Sequence, residues 1–156
     1  MSFSSHDTAI IDDGAVIGDS TKIWHFTHIC SKAKIGKNVT IGQNCYIDNN
    51  VVIGDNCKIQ NNVSIYDGVI IKNNVFIGPS VVFTNDLYPK THHLNGWEKK
   101  KTIIKDNVSI GANSTIICNN TIHENSLIGA GSVVTKNITA NYLAYGNPAR
   151  LIKKLE

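Results

Sequence analysis

The sequence predicts an all-β protein, a parallel β-helix of six-residue repeats, and two observations carry that expectation. An aliphatic side chain recurs at every sixth position from Ile11 to Ile77, then at Phe83, and again from Ile104 to Val134. Of these 19 positions 17 are isoleucine, in a chain with 23 isoleucines. Two positions earlier the side chain is small or branched, as in Ala33, Val39, Cys45, Val51, Cys57 and Val63. Two inward residues separated by one is strand alternation. Glycine follows the aliphatic position at 18, 36, 42, 54, 78, 111 and 129, and Asn or Asp comes soon after, residues that accept the positive φ of a sharp corner. A strand and a corner every six residues, three to a turn, close a triangular coil of roughly 18 residues. An antiparallel sandwich would instead space its turns about 8–12 residues apart.

Composition narrows the function. The 156 residues are 42% hydrophobic and 17% charged, with 15 Lys and Arg against 12 Asp and Glu, which suits one folded domain and neither a nucleic-acid binder nor a disordered chain. The first residues, Met1-Ser2-Phe3-Ser4-Ser5-His6-Asp7, lack the basic and apolar regions of a signal peptide, and no stretch reads as a membrane span. Cysteines at 30, 45, 57 and 118 form no C-x-x-C pair, so reduced thiols and a cytoplasmic location are expected, without a metal.

The elements then follow in order within a single domain, 1–156. Coils are expected over 9–84 and 102–139. The step from Phe83 to Ile104 is not a multiple of six, so residues 85–101 leave the coil as one long loop. A smooth prism offers no concavity, and long loops on rigid scaffolds tend to carry function. This one holds Asp86, Tyr88, Lys90, His92, His93, Trp97, Lys100 and Lys101, basic beside aromatic residues that suit a phosphorylated, ring-bearing ligand. Residues 140–156 should cap the last turn, with a helix as one expected form.

The aliphatic-Gly-x-x-small-x pattern over 9–139 resembles the hexapeptide-repeat acyltransferases, which implies a left-handed coil. Gly146-Asn147-Pro148-Ala149-Arg150 resembles the segment that closes many of them and packs near coenzyme A. Three further segments, Trp24-His25-Phe26-Thr27-His28-Ile29, Lys58-Ile59-Gln60-Asn61-Asn62-Val63-Ser64-Ile65-Tyr66 and Phe83-Thr84-Asn85, are similar to the N-acetyltransferases of nucleotide-linked 3-amino sugars. That resemblance implies acetyl-CoA as co-substrate, a dTDP-linked 3-amino-3,6-dideoxyhexose destined for lipopolysaccharide O-antigen or another surface glycan, and a homotrimer with sites between subunits. A UDP-linked 3-amino-uronate is the alternative. The segment from Thr84 to Pro89 has an aspartate and no arginine to pair with a sugar carboxylate, which favours the dTDP sugar.

On this reading Asn85 faces the reacting amine, and its amide oxygen aligns the lone pair. Asp67, 18 residues earlier, lies one coil away in the same column. His25 is the side chain best suited to accept a proton, yet it sits about three coils, roughly 14 Å, from Asn85 within one chain. The two can share a site only across subunits, and a substrate-binding role for His25 is favoured. Asp67, Asp86, Tyr88, Lys90, Lys100 and Lys101 are the substrate-binding candidates, the lysines for a diphosphate. Backbone near Gly111-Ala112 and Gly129-Ala130 would lie along the acetyl-CoA arm, glycine letting the thioester come close. Pro148, Arg150 and Lys153 would meet its far end. A γ-type carbonic anhydrase on the same coil needs three histidines converging on zinc. The pairs His25/His28 and His92/His93 do not reproduce that set. An inactive scaffold and a maltose-type O-acetyltransferase are the other rivals.

Overall fold

A computed structural model describes residues 2–156, and they form strands and turns with no helix. Three parallel sheets make the faces of a triangular prism. The first runs from Ser4–Ser5 through Lys22–Ile23, Thr40–Ile41, Lys58–Ile59, Phe76–Ile77, Ser109–Ile110 and Leu127–Ile128. The second runs from Ile10–Ile11 through His28–Ile29, Tyr46–Ile47, Ser64–Ile65, Val82–Phe83 and Thr115–Ile116 to Val133–Val134. The third contains Val16–Ile17, Lys34–Ile35, Val52–Ile53, Val69–Ile71, Thr102–Ile104 and Thr121–Ile122. The chain visits first, second and third in rotation, and partners such as Lys22↔Thr40 lie one 18-residue coil apart. This β-solenoid is the expected fold, in keeping with the left-handed coil of the resembled enzymes. The coil starts earlier than residue 9, since Ser4–Ser5 already pairs with Lys22–Ile23.

The register isoleucines fill the prism. From Ile23 to Val134 every register position is at most 3% exposed, whereas Ile11 and Ile17 are only partly buried. The small inward residues complete the packing, and most of the polar ones send their hydroxyls to backbone acceptors, Thr27 Oγ1 donating to Gly42 O at 2.7 Å, while Thr102 Oγ1 is buried without a partner among the described residues.

Corner asparagines do two jobs. Asn38, Asn56, Asn74, Asn107 and Asn125 hold φ between 54° and 60°, as their sequence positions required. Stacked amides then bond between coils, Asn38 Nδ2 donating to Asn56 Oδ1 at 2.9 Å and Asn107 to Asn125 at 3.0 Å.

Residues 85–101 leave the coil as expected. Ile71 pairs with Ile104, 33 positions on, so one turn carries the whole excursion and the coil resumes in register. The cap differs from a helix. Tyr142–Gly146 joins the first sheet beside Leu127–Ile128, and Ala149–Lys154 folds back antiparallel to it. A strand receives the last coil's open edge bonds, Gly129 N donating to Ala144 O at 2.9 Å, which a helix cannot do.

Candidate active site

The prism has three corner columns, and the expected site residues divide between two of them. The corner between the second and third sheets carries Asp67, Asn85 and the excursion. The corner between the first and second carries His25, Gly111, Ala112, Gly129 and Ala130.

At the first of these, the excursion has a narrow neck. Lys100 N donates to Asn85 O at 3.3 Å, so the chain returns beside the point where it left. The Asn85 amide Nδ2 donates to the main-chain oxygen of Asp67 at 3.2 Å, leaving Oδ1 without a partner among the described residues. That leaves a carbonyl acceptor free at the neck of the loop. The Asp67 carboxylate is engaged elsewhere: Oδ1 accepts from Lys99 Nζ at 2.9 Å and Oδ2 from Asn50 Nδ2 at 3.0 Å. Lys99 was not among the sequence candidates, which took its neighbours Lys100 and Lys101, because no register runs through the loop to show which lysine reaches Asp67. A further chain of contacts backs the corner. Asp48 Oδ2 accepts from Asp67 N at 3.1 Å, and Asp48 Oδ1 accepts from the Tyr46 hydroxyl at 3.2 Å. The Tyr46 phenol is pushed well above its ordinary pKa, first by its hydrogen bond with the Cys30 thiol, then by burial and the Asp48 carboxylate, so it stays a donor.

Inside the loop, His93 Nε2 lies 3.0 Å from Asp86 Oδ2, and Asp86 Oδ1 accepts from Tyr88 N at 2.9 Å. Asp86 therefore shapes the loop with both oxygens. Tyr88, 77% exposed, lines one cleft with Lys90, His92, His93 and Gly96, and a second beside it with Asp86 and Lys100. Lys100 Nζ pairs with Glu98 at 2.7 Å, while Lys101 is exposed at the loop's end.

At the other corner, His25 is half-buried, its ring stacked on His6 with centroids 3.5 Å apart. It borders a cleft with Trp24, Thr40, Gln43, Gln60 and Asn61. Farther along this column the corner changes character. Gln43 N–H is bound by Asn61 Oδ1 of the next coil at 2.9 Å. At Ala112 the residue of the next coil is Ala130, which has no side-chain acceptor, and neither Ala112 nor Ala130 N–H has a partner among the described residues. Two unclaimed donors in a column suit the carbonyls of an extended amide arm or a thioester oxygen. The glycines also have a packing role that the sequence did not show. A Cβ on Gly111 would stand 2.5 Å from Ala130 N, and one on Gly129 would stand 2.7 Å from Tyr145 Cβ. The close approach of the next coil to Gly111 and of the cap to Gly129 already requires both glycines. Exposed Pro148 and Arg150 lie on the hairpin beyond, where Arg150 pairs across to Tyr145 and Lys153 to Leu143.

Residues 14–49, 50–85 and 101–136 match the bacterial transferase hexapeptide family (six repeats), and 32–67 also match the hexapeptide repeat of succinyl-transferase. The chain belongs to the bacterial hexapeptide transferases. Among curated proteins it is 54% identical over 155 residues to a dTDP-3-amino-3,6-dideoxy-alpha-D-galactopyranose 3-N-acetyltransferase from Aneurinibacillus thermoaerophilus, covering 95% of this chain and 79% of that one. Among solved structures, a maltose O-acetyltransferase from Clostridium difficile superposes with a TM-score of 0.71 at 35% identity, over 78% of this chain and 68% of that one. A hexapeptide-repeat acetyltransferase from Vibrio cholerae, crystallised with acetyl coenzyme A, gives 0.61 at 31% identity, over 74% and 70%. No helix among the described residues is long and apolar enough to cross a membrane.

Proposed function

We propose that this hexapeptide transferase moves an acetyl group from acetyl-CoA to the 3-amino group of a dTDP-linked 3-amino-3,6-dideoxyhexose. The observation that carries this reading is the 54% identity over 155 residues, a span that includes both corners and the whole excursion. The O-acetyltransferase likeness is lower in identity and covers less of this chain, so a sugar amine is favoured over a sugar hydroxyl.

The chemistry asks little of the protein. A neutral amine attacks the thioester carbonyl, the C–N bond forms, and collapse of the tetrahedral intermediate expels coenzyme A as thiol. Asn85 Oδ1 accepts a hydrogen bond from the amine and aims its lone pair; as an amide it takes no proton, which passes to solvent or to the departing thiolate. The free N–H groups of Ala112 and Ala130 are the donors for the thioester oxygen. Tyr88, Lys90, Lys100 and Lys101 offer stacking and charge to the nucleotide diphosphate, with Asp86 holding the loop. His25 binds substrate beside Trp24, and Pro148, Arg150 and Lys153 meet the far end of the coenzyme.

Because Asn85 and the Ala112/Ala130 donors stand on different edges of one prism, we place the reaction between neighbouring chains of a homotrimer. The four free cysteines, with no disulfide among them, suit the reducing cytoplasm.

Thiol release from acetyl-CoA, measured on a panel of dTDP- and UDP-linked amino sugars with maltose as control, tests the substrate. Turnover on a dTDP-3-amino sugar is expected; turnover on maltose alone would overturn it. Co-expression of Asn85→Ala with Ala130→Trp tests the shared site. Each variant alone should be inactive and the mixed oligomer should regain activity, whereas two halves within one chain would leave the mixture dead.

A further inference from the structure

Three potential ligand atoms meet on the outer side of the second sheet, near its N-terminal end. Cys30 follows Asp12 by one coil, so the two stack in one column, and His28 lies two residues before Cys30 on the same outward side. His28 Nε2 stands 3.1 Å from Asp12 Oδ1 and 3.9 Å from Cys30 Sγ, and all three atoms lie within 4.8 Å of one another. Tetrahedral zinc, with bonds of about 2.0–2.3 Å to N, O and S, sets its ligands roughly 3.3–3.6 Å apart. The observed triangle reaches that spacing with side-chain shifts under about an ångström.

We infer that Asp12, His28 and Cys30 bind one zinc-class divalent cation per chain and thereby pin the first coil to the second. The donor set of imidazole, thiolate and carboxylate belongs to such borderline-soft ions and not to calcium or magnesium. Cys30 is 5% exposed, while the His28 and Asp12 side chains are each 40% exposed, which leaves an entry path and a fourth position for water. The Cys30 thiol donates to the Tyr46 hydroxyl at 3.6 Å, and that hydroxyl gives its own proton to Asp48 Oδ1, so the thiol proton is the one the cation displaces. Of the other cysteines, Cys45 and Cys57 occupy inward register positions and send their thiols to backbone oxygens at 3.0 Å. The site stands whatever the acceptor sugar is.

Such a cation would act where the coil is weakest. Ile10 and Val16 are both 59% exposed and the register residues Ile11 and Ile17 are only partly covered, so the first turn has the least apolar burial of any. A cation binds these groups in their deprotonated forms, thiolate, neutral imidazole and carboxylate.

Cobalt(II) titration of the reduced full-length protein tests this without any enzymatic readout. A thiolate-to-cobalt charge-transfer band should saturate at one equivalent per chain, vanish on adding zinc, and be absent from Cys30→Ser. Zinc at about a hundredfold excess over its dissociation constant should raise Tm by roughly 5–10 °C. That rise should be lost in both Cys30→Ser and Asp12→Asn, the latter an exposed change that leaves the coil's core untouched. No band in the wild type, a band that survives in Cys30→Ser, or a Tm rise unaltered in Asp12→Asn would overturn the site.

Discussion

The coil and the excursion are built by opposite means. The interior and turn positions of the coil stack largely on chemically similar positions above and below, so isoleucine meets isoleucine in the interior and asparagine meets asparagine at the turns. The excursion is held by few polar contacts, chiefly Lys99 with Asp67, Asp86 with His93 and Lys100 N with Asn85 O. Repetition makes the coil stiff and insensitive to local wording. Sparse contacts leave the loop adjustable, which suits the substrate-binding role proposed for it.

The comparison breaks most sharply at Ile65, fully buried beneath the Asn85 corner. Ile65→Ala should cost about 3–4 kcal/mol of stability, read by denaturant unfolding, with turnover per folded molecule nearly unchanged. Asn85→Ala should do the reverse, lowering turnover on the order of 10²-fold while Tm and acetyl-CoA binding stay put; unchanged turnover would remove Asn85 from the site. His25→Ala should raise the Michaelis constant for the nucleotide sugar by about tenfold with turnover kept, and a collapse in turnover instead would make it the base. Lys99→Met should act more weakly. Its ion pair with Asp67 is partly exposed, worth about 1 kcal/mol or less, so a few-fold rise in the same Michaelis constant is expected, with stability almost level.

The smallest effect is a pH dependence seated wholly in the coil. Burial pushes the Cys45 and Cys57 thiols above their ordinary value of 9.0. A raised folded pKa means stability is full below the unfolded value and declines as pH climbs from about 9 toward the folded values. Replacing both cysteines by valine, the residue found at many equivalent positions, should flatten that decline in alkaline melts.

The same contrast explains what the sequence disclosed. Strand positions, corners and the exit at Asn85 were legible because a six-residue period leaves one side chain in six no choice. The cap was less so: Tyr142 to Lys154 breaks the period, and only the need to cover the first sheet's open edge selects a strand pair over a helix. Within the site, the separation of His25 from Asn85 could be counted along the chain, and counting by coils also shows that Ala112 shares His25's column. The partnership of Lys99 with Asp67 could not be counted, since no register runs through the loop. Nor could the purpose of Gly111, where a period shows a glycine but not what it faces.

The neck at Asn85 and Lys100 has a consequence for engineering. Residues 86–100 hang from the scaffold at a single hinge-width gap, like a cassette in a frame, and their removal would restore the uninterrupted spacing seen at Lys22↔Thr40. On the proposed function, that gap separates a platform for the acyl donor from an exchangeable module for the acceptor. Cassettes of other lengths can be spliced there without disturbing a single interior isoleucine.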